Sequence, residues 1–61
     1  MIASGAVILN VDDNEPSRYA KSRILTRAGF KVYDAASGTE ALELARTHAP
    51  DLLLLDVNLP M

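Results

Sequence analysis

Asp12, Asp13, Asp56 and their neighbours Glu15 and Asn58 are the residues with which this sequence could do chemistry. Asp12 and Asp13 close the apolar run Val7-Ile8-Leu9-Asn10-Val11. Asp56 closes a second run, Leu52-Leu53-Leu54-Leu55. Gathered at one place, three carboxylates would repel, and their pKa values would rise unless a cation neutralised them. An all-oxygen donor set of this kind suits Mg²⁺ or Mn²⁺, with water completing an octahedron. A divalent ion there would offset phosphate charge, and Asp56 could then act as a nucleophile forming an acyl phosphate. Taken singly, each residue has an ordinary structural role. Asp12-Asp13-Asn14 can be a turn and a helix N-cap. Asp56 can simply end a strand, and Asn58-Leu59-Pro60 is loop chemistry. Only a fold that brings both runs side by side makes the set more than its parts.

The elements that would position them are readable from spacing. Ala6 to Val11 is short, rich in β-branched residues and almost continuously apolar, as in a strand buried on both faces. Pro16 suits the first turn of a helix, where its missing N–H costs nothing. From Pro16 to Ala28 the helical period places Ala20, Ile24 and Ala28 on one stripe, with Leu25 beside it. Arg18, Lys21, Arg23 and Arg27 then lie outward or along the edges. Gly29 stands where a helix C-terminus wants a positive φ. Phe30 to Ala36 reads as a second strand. Ser37 and Glu40 have capping-box spacing. Ala41, Leu42, Ala45 and Ala49, extended by Leu44, form the inner face of a second helix that Pro50 stops. Leu52 to Val57 is too short for a helix of its own and reads as a third buried strand. Strand, helix, strand, helix, strand implies parallel βαβ units with right-handed crossovers. In a parallel sheet all strand C-termini share one edge, where ligands bind. If the first and third strands are neighbours, Asp12, Asp13 and Asp56 meet there.

Composition narrows the field further. The chain has 61 residues, of which 49% are hydrophobic, too many for a disordered chain. It has no cysteine, which excludes disulfides and Cys-ligated metal. The net charge is −2 and the basic residues are scattered, so nothing resembles a nucleic-acid footprint. No apolar stretch is long enough to span a bilayer, and the first residues lack the basic region of a signal peptide. A cytoplasmic location is expected. A chain this short buries only about 60% of the surface its unfolded form exposes, so its stability is marginal without tight packing, a metal or a partner. His48 reads as a favourable charge at a helix C-terminus. Tyr19 and Tyr33 read as packing residues with wet hydroxyls.

Several segments together resemble the receiver domain of response regulators, the phosphoacceptor module of two-component signalling. They are Val7-Ile8-Leu9-Asn10-Val11-Asp12-Asp13-Asn14, then Gly29-Phe30-Lys31-Val32, then Ala36-Ser37-Gly38-Thr39-Glu40-Ala41-Leu42, and finally Pro50-Asp51-Leu52-Leu53-Leu54-Leu55-Asp56-Val57-Asn58-Leu59-Pro60-Met61. The resemblance implies a flavodoxin-like α/β fold with parallel strand order 2-1-3 over this stretch. It makes Asp56 the phosphorylated residue and Asp12 and Asp13 the acidic pair that holds Mg²⁺. Asn58 becomes the residue whose backbone carbonyl ligates the metal, and a histidine kinase becomes the phosphoryl donor. The module itself is a phosphoacceptor rather than an enzyme. Its parent could be a single-domain regulator, a transcription factor or a hybrid histidine kinase.

The family pattern continues with two more strands and three more helices. They carry a Ser or Thr and a Lys that contact the phosphoryl group, a position that neither Lys21 nor Lys31 matches. The sequence therefore reads as a short leader, residues 1–5, followed by the N-terminal half of a receiver, residues 6–61. Three expectations follow. Phosphoryl transfer to Asp56 is impaired. The third strand becomes a sheet edge that completes itself by self-association into a homodimer or larger assembly. The receiver stands at the N-terminus of its parent. The rival reading is a non-catalytic half-receiver that only binds itself or another receiver. A phosphohydrolase with an Asp nucleophile is disfavoured, because its nucleophile lies on the first strand in a D-x-D pattern, whereas this strand ends Asp12-Asp13.

Overall fold

Each apolar run becomes a strand and each amphipathic stretch a helix. The computed structural model describes residues 5–56. They form β1 (Val7–Asp12), α1 (Glu15–Arg27), β2 (Lys31–Ala35), α2 (Gly38–His48) and β3 (Leu52–Asp56). All three strands are parallel, in the order β2-β1-β3, as the resemblance implied. β1 is the central strand, and residues 8–12 are buried. Successive side chains alternate between the two faces of the sheet. Leu9 and Val11 meet α2, packing with Ala35, Tyr33, Ala41, Leu44 and Ala45. Ile8, Asn10 and Asp12 point to the opposite face, where α1 lies. Asp51 sets the register between β1 and β3. Its carboxylate accepts the Val7 N–H at 2.8 Å, and its own N–H donates to the Val7 carbonyl at 2.7 Å.

The punctuation residues behave as their chemistry requires. Asn14 caps α1, its side-chain oxygen accepting the Ser17 N–H at 2.9 Å. Gly29 takes φ 99° just past the end of that helix. Ser37 caps α2 by accepting the Glu40 N–H at 3.2 Å. Glu40 reaches back to the Ala36 N–H at 2.6 Å, one residue earlier than a standard capping box. Ala49 takes a left-handed φ of 44° and turns the chain into Pro50.

Several expectations about packing fail. First, the third strand is not buried. Leu52 to Leu55 are all exposed, because α1 and α2 pack over β1 and β2. Val57, assigned to that strand from sequence, lies outside the described residues. Second, α1 is rolled away from the stripe its apolar residues mark. Ala20, Ile24 and Ala28 are exposed, and the sheet-facing positions are Ser17, Arg18, Lys21, Ser22 and Leu25. Polar contacts choose this roll: the Arg18 carbonyl accepts from Asn10 Nδ2 at 3.0 Å, and Lys21 reaches the strand ends. Third, Leu42 and Ala49 of α2 are exposed, while Ala41, Leu44, Ala45 and His48 turn inward. His48 stacks on Tyr33, with ring centroids 3.8 Å apart. Tyr19 is exposed rather than packed, lying beneath the Arg23 guanidinium.

Candidate functional site

Parallel pairing places the C-terminal ends of β1 and β3 side by side. Asp12 and Asp56 are direct register partners, so their side chains emerge on the same face. That face is the one α1 covers. The Asn14 cap anchors the start of α1 right after β1, and Arg18 Nη1 donates to the Asp12 carbonyl at 2.9 Å. With the helix so placed, Lys21 reaches both carboxylates. Its Nζ donates to Asp12 Oδ2 at 3.1 Å and to Asp56 Oδ2 in a shorter contact.

The two carboxylates sit in different surroundings. The Asp12 side chain is 3% exposed and that of Asp56 61%, with Lys21 between them at 31%. Asp12 Oδ1 accepts the Asn14 N–H at 2.9 Å. This backbone bond, then a bond from the Ser17 side chain and then Lys21 hold the Asp12 carboxyl down to about 2 from its usual 3.8, against the opposing effect of burial. The Lys21 ammonium is pushed above its ordinary 10.5, chiefly by its bond to Asp56 and next by Asp12, again against desolvation. Asp12 is thus ionised at any ordinary pH and Lys21 protonated.

Asp12 and Asp56 are brought together. Asp13, the next residue along the chain and beyond the strand, is exposed. Among the described residues no three acidic or histidine side chains are close enough to hold a metal. Glu15 opens α1 and pairs loosely with Arg18 at 3.9 Å. Asn58 lies outside the described residues. The donor set suits a hard cation all the same. Two carboxylates already share one cationic group, and Mg²⁺ is commonly held by one or two carboxylates while keeping several waters.

Lys21 and Arg18 are the site residues that the sequence placed outward or along the helix edges. A signal was present: Ser17, Arg18, Lys21, Ser22 and Leu25 make a second stripe at helical spacing, and its two cations face strands that end in carboxylates. The apolar stripe beside it is stronger and hides it.

The family model described as the response regulator receiver domain matches residues 8–61. The chain is 40% identical over 53 residues to the polar-differentiation response regulator DivK of Brucella ovis, a match covering 87% of this chain and 43% of that protein. It is 45% identical over 53 residues to the transcriptional regulatory protein AfsQ1 of Streptomyces coelicolor, covering 87% of this chain and 24% of that protein. The chain therefore spans less than half the length of these curated relatives. No solved structure matches it significantly.

Proposed function

From the premise that the chain belongs to the response regulator receiver domain family, we propose that Asp56 accepts a phosphoryl group from the phosphohistidine of a histidine kinase. The observation that carries this reading is the pairing of Asp12 with Asp56 at adjacent strand ends, both turned onto one cation. A carboxylate oxygen of Asp56 attacks phosphorus, the P–N bond breaks, the imidazole leaves and an acyl phosphate forms. Asp56 suits the role of acceptor because its side chain is open to a donor, whereas Asp12 is enclosed. Asp12 serves as a permanently charged ligand. Asp13 and Asn58 would add oxygen donors for Mg²⁺ or Mn²⁺. When bound, the metal would screen the charge that builds between phosphoryl and carboxylate oxygens. The resemblance assigns a Ser or Thr and a Lys to a further stretch of the family pattern. Tested by itself, the 61-residue chain is therefore slow to accept phosphate.

The test is incubation with a small phosphodonor and Mg²⁺, followed by intact mass. We expect a slow, Mg²⁺-dependent gain of one phosphoryl group that disappears in Asp56→Asn. No gain, or a gain surviving that substitution, refutes the acceptor assignment. Fast and durable labelling refutes the impairment.

A second reading is favoured by β3 itself. Among the described residues it pairs with β1 on one side only, and its four leucines are exposed. Two such edges from two copies could pair about a two-fold axis into one six-stranded sheet, giving a homodimer whose role is assembly rather than chemistry. A well-folded monomer at micromolar concentration in the ultracentrifuge would eliminate it.

A further inference from the structure

We infer that Lys21 is the site's own counter-ion, seated between Asp12 and Asp56 where a divalent metal would sit, and that Mg²⁺ binds by expelling it. The inference rests on the reading of these carboxylates as a Mg²⁺ site. It goes beyond that reading in naming the group that sets the affinity and the class of cation admitted.

The geometry leaves little room for both cations. Asp12 Oδ1 is committed to the Asn14 N–H at 2.9 Å. Oδ2 is the oxygen left to a ligand, and Lys21 Nζ already holds it at 3.1 Å. On Asp56 the same nitrogen holds Oδ2. On Asp12, Mg²⁺ would take the same oxygen at a much shorter distance, and on Asp56 it would compete with the ammonium for the carboxylate, beside a positive charge that repels it. The lysine is also able to leave. Its side chain is partly exposed, and four methylenes let the ammonium swing into water while the helix stays in place. Nothing else on the inner face of α1 replaces it: Ser17, Ser22 and Leu25 carry no charge, and the Arg18 guanidinium is bound to the Asp12 carbonyl.

Two consequences follow. A monovalent ion offers the carboxylates no more charge than the ammonium it must displace, so Na⁺ and K⁺ are excluded and divalent ions are admitted. One oxygen of Asp56 is also paired with the ammonium until the metal enters, which couples release of that oxygen to loading of the metal.

The experiment compares the 61-residue chain with Lys21→Met and Lys21→Gln by Mg²⁺ calorimetry and by Mn²⁺ electron paramagnetic resonance at constant ionic strength. Both variants should bind at least tenfold more tightly than the parent. Unchanged or weaker binding in either folded variant, or no binding by any of the three, overturns the inference. A second readout needs no substitution of the lysine. Amine acylation mapped by peptide mass should be several-fold slower at Lys21 than at Lys31 without metal. Saturating Mg²⁺ should abolish that difference, and Asp56→Asn should narrow it with no metal present. Equal rates at the two lysines in the metal-free parent also overturn it. Failure of the metal-site reading is recognised separately, by Mg²⁺ binding that survives both Asp12→Asn and Asp56→Asn.

Discussion

Leu9 and Leu53 are neighbours in the sheet register and point to the same face, yet they should respond very differently to truncation. Leu9 is 2% exposed beneath α2, whereas Leu53 is 53% exposed on β3. Leu9→Ala loses the full transfer free energy of its side chain and leaves a cavity between sheet and helix, together about 2–5 kcal/mol. Leu53→Ala loses only about half of the ~1.5–3 kcal/mol that complete burial of a leucine is worth. It leaves no cavity, because no helix lies above it, so its cost is about 1 kcal/mol. A single core in a domain this small supplies only ~3–5 kcal/mol in total. Leu9→Ala should therefore be largely unfolded in dilute buffer, while Leu53→Ala keeps most of its structure. Urea titration followed by far-ultraviolet circular dichroism at low micromolar concentration measures both. Equal losses at that concentration would mean that the β3 face is covered in solution, refuting the exposure on which the estimate depends. Self-association through β3 makes a different forecast, a Leu53→Ala cost that grows with protein concentration.

Asn14→Ala should cost about 1 kcal/mol of stability by removing the bond to the Ser17 N–H, and Asn14→Asp should restore most of it; the urea midpoint reads both. Ser37→Ala should cost a similar amount, about 0.5–2 kcal/mol, because Glu40 loses the acceptor for its N–H; no change in midpoint would show that the Glu40 bond to Ala36 alone holds that turn. Asp12 should make folding acid-sensitive. Its carboxyl lies lower in the folded chain, at about 2 against an ordinary 3.8, so its stabilisation is complete above pH ~3.8 and is lost as pH falls through about 2. Asp12→Asn should flatten the urea midpoint over that window, and an unaltered acid limb would refute the assignment. Lys21 works in the opposite direction. Its ammonium is raised above 10.5, so its contribution is full below that pH and fades as pH rises through the folded value; Lys21→Met should remove this alkaline loss.

The order and type of every described element was legible in the sequence, because local chemistry determines them. The β-branched run of β1, Pro16 in a first turn, Gly29 with its positive φ, Ser37 with Glu40, and Pro50 all act through the backbone within a few residues. The placement of Asp12 and Asp56 at strand C-termini was legible for the same reason, and parallel pairing then made them neighbours. What the sequence could not show is which face a helix turns inward. The stripe Ala20, Ile24 and Ala28 marks α1 as amphipathic, but its roll is decided by what lies opposite: the Asp12 carbonyl that takes Arg18, the buried Asn10 amide that takes the Arg18 carbonyl, and two carboxylates that take Lys21. These partners are eight or more residues away in the cases of Asn10, Asp12 to Lys21, and Asp56, so no local period can encode them. The exposure of β3 has a similar origin. Its edge position among the described residues was expected from the family pattern, and the packing of both helices over β1 and β2 decides how much of each leucine stays in water.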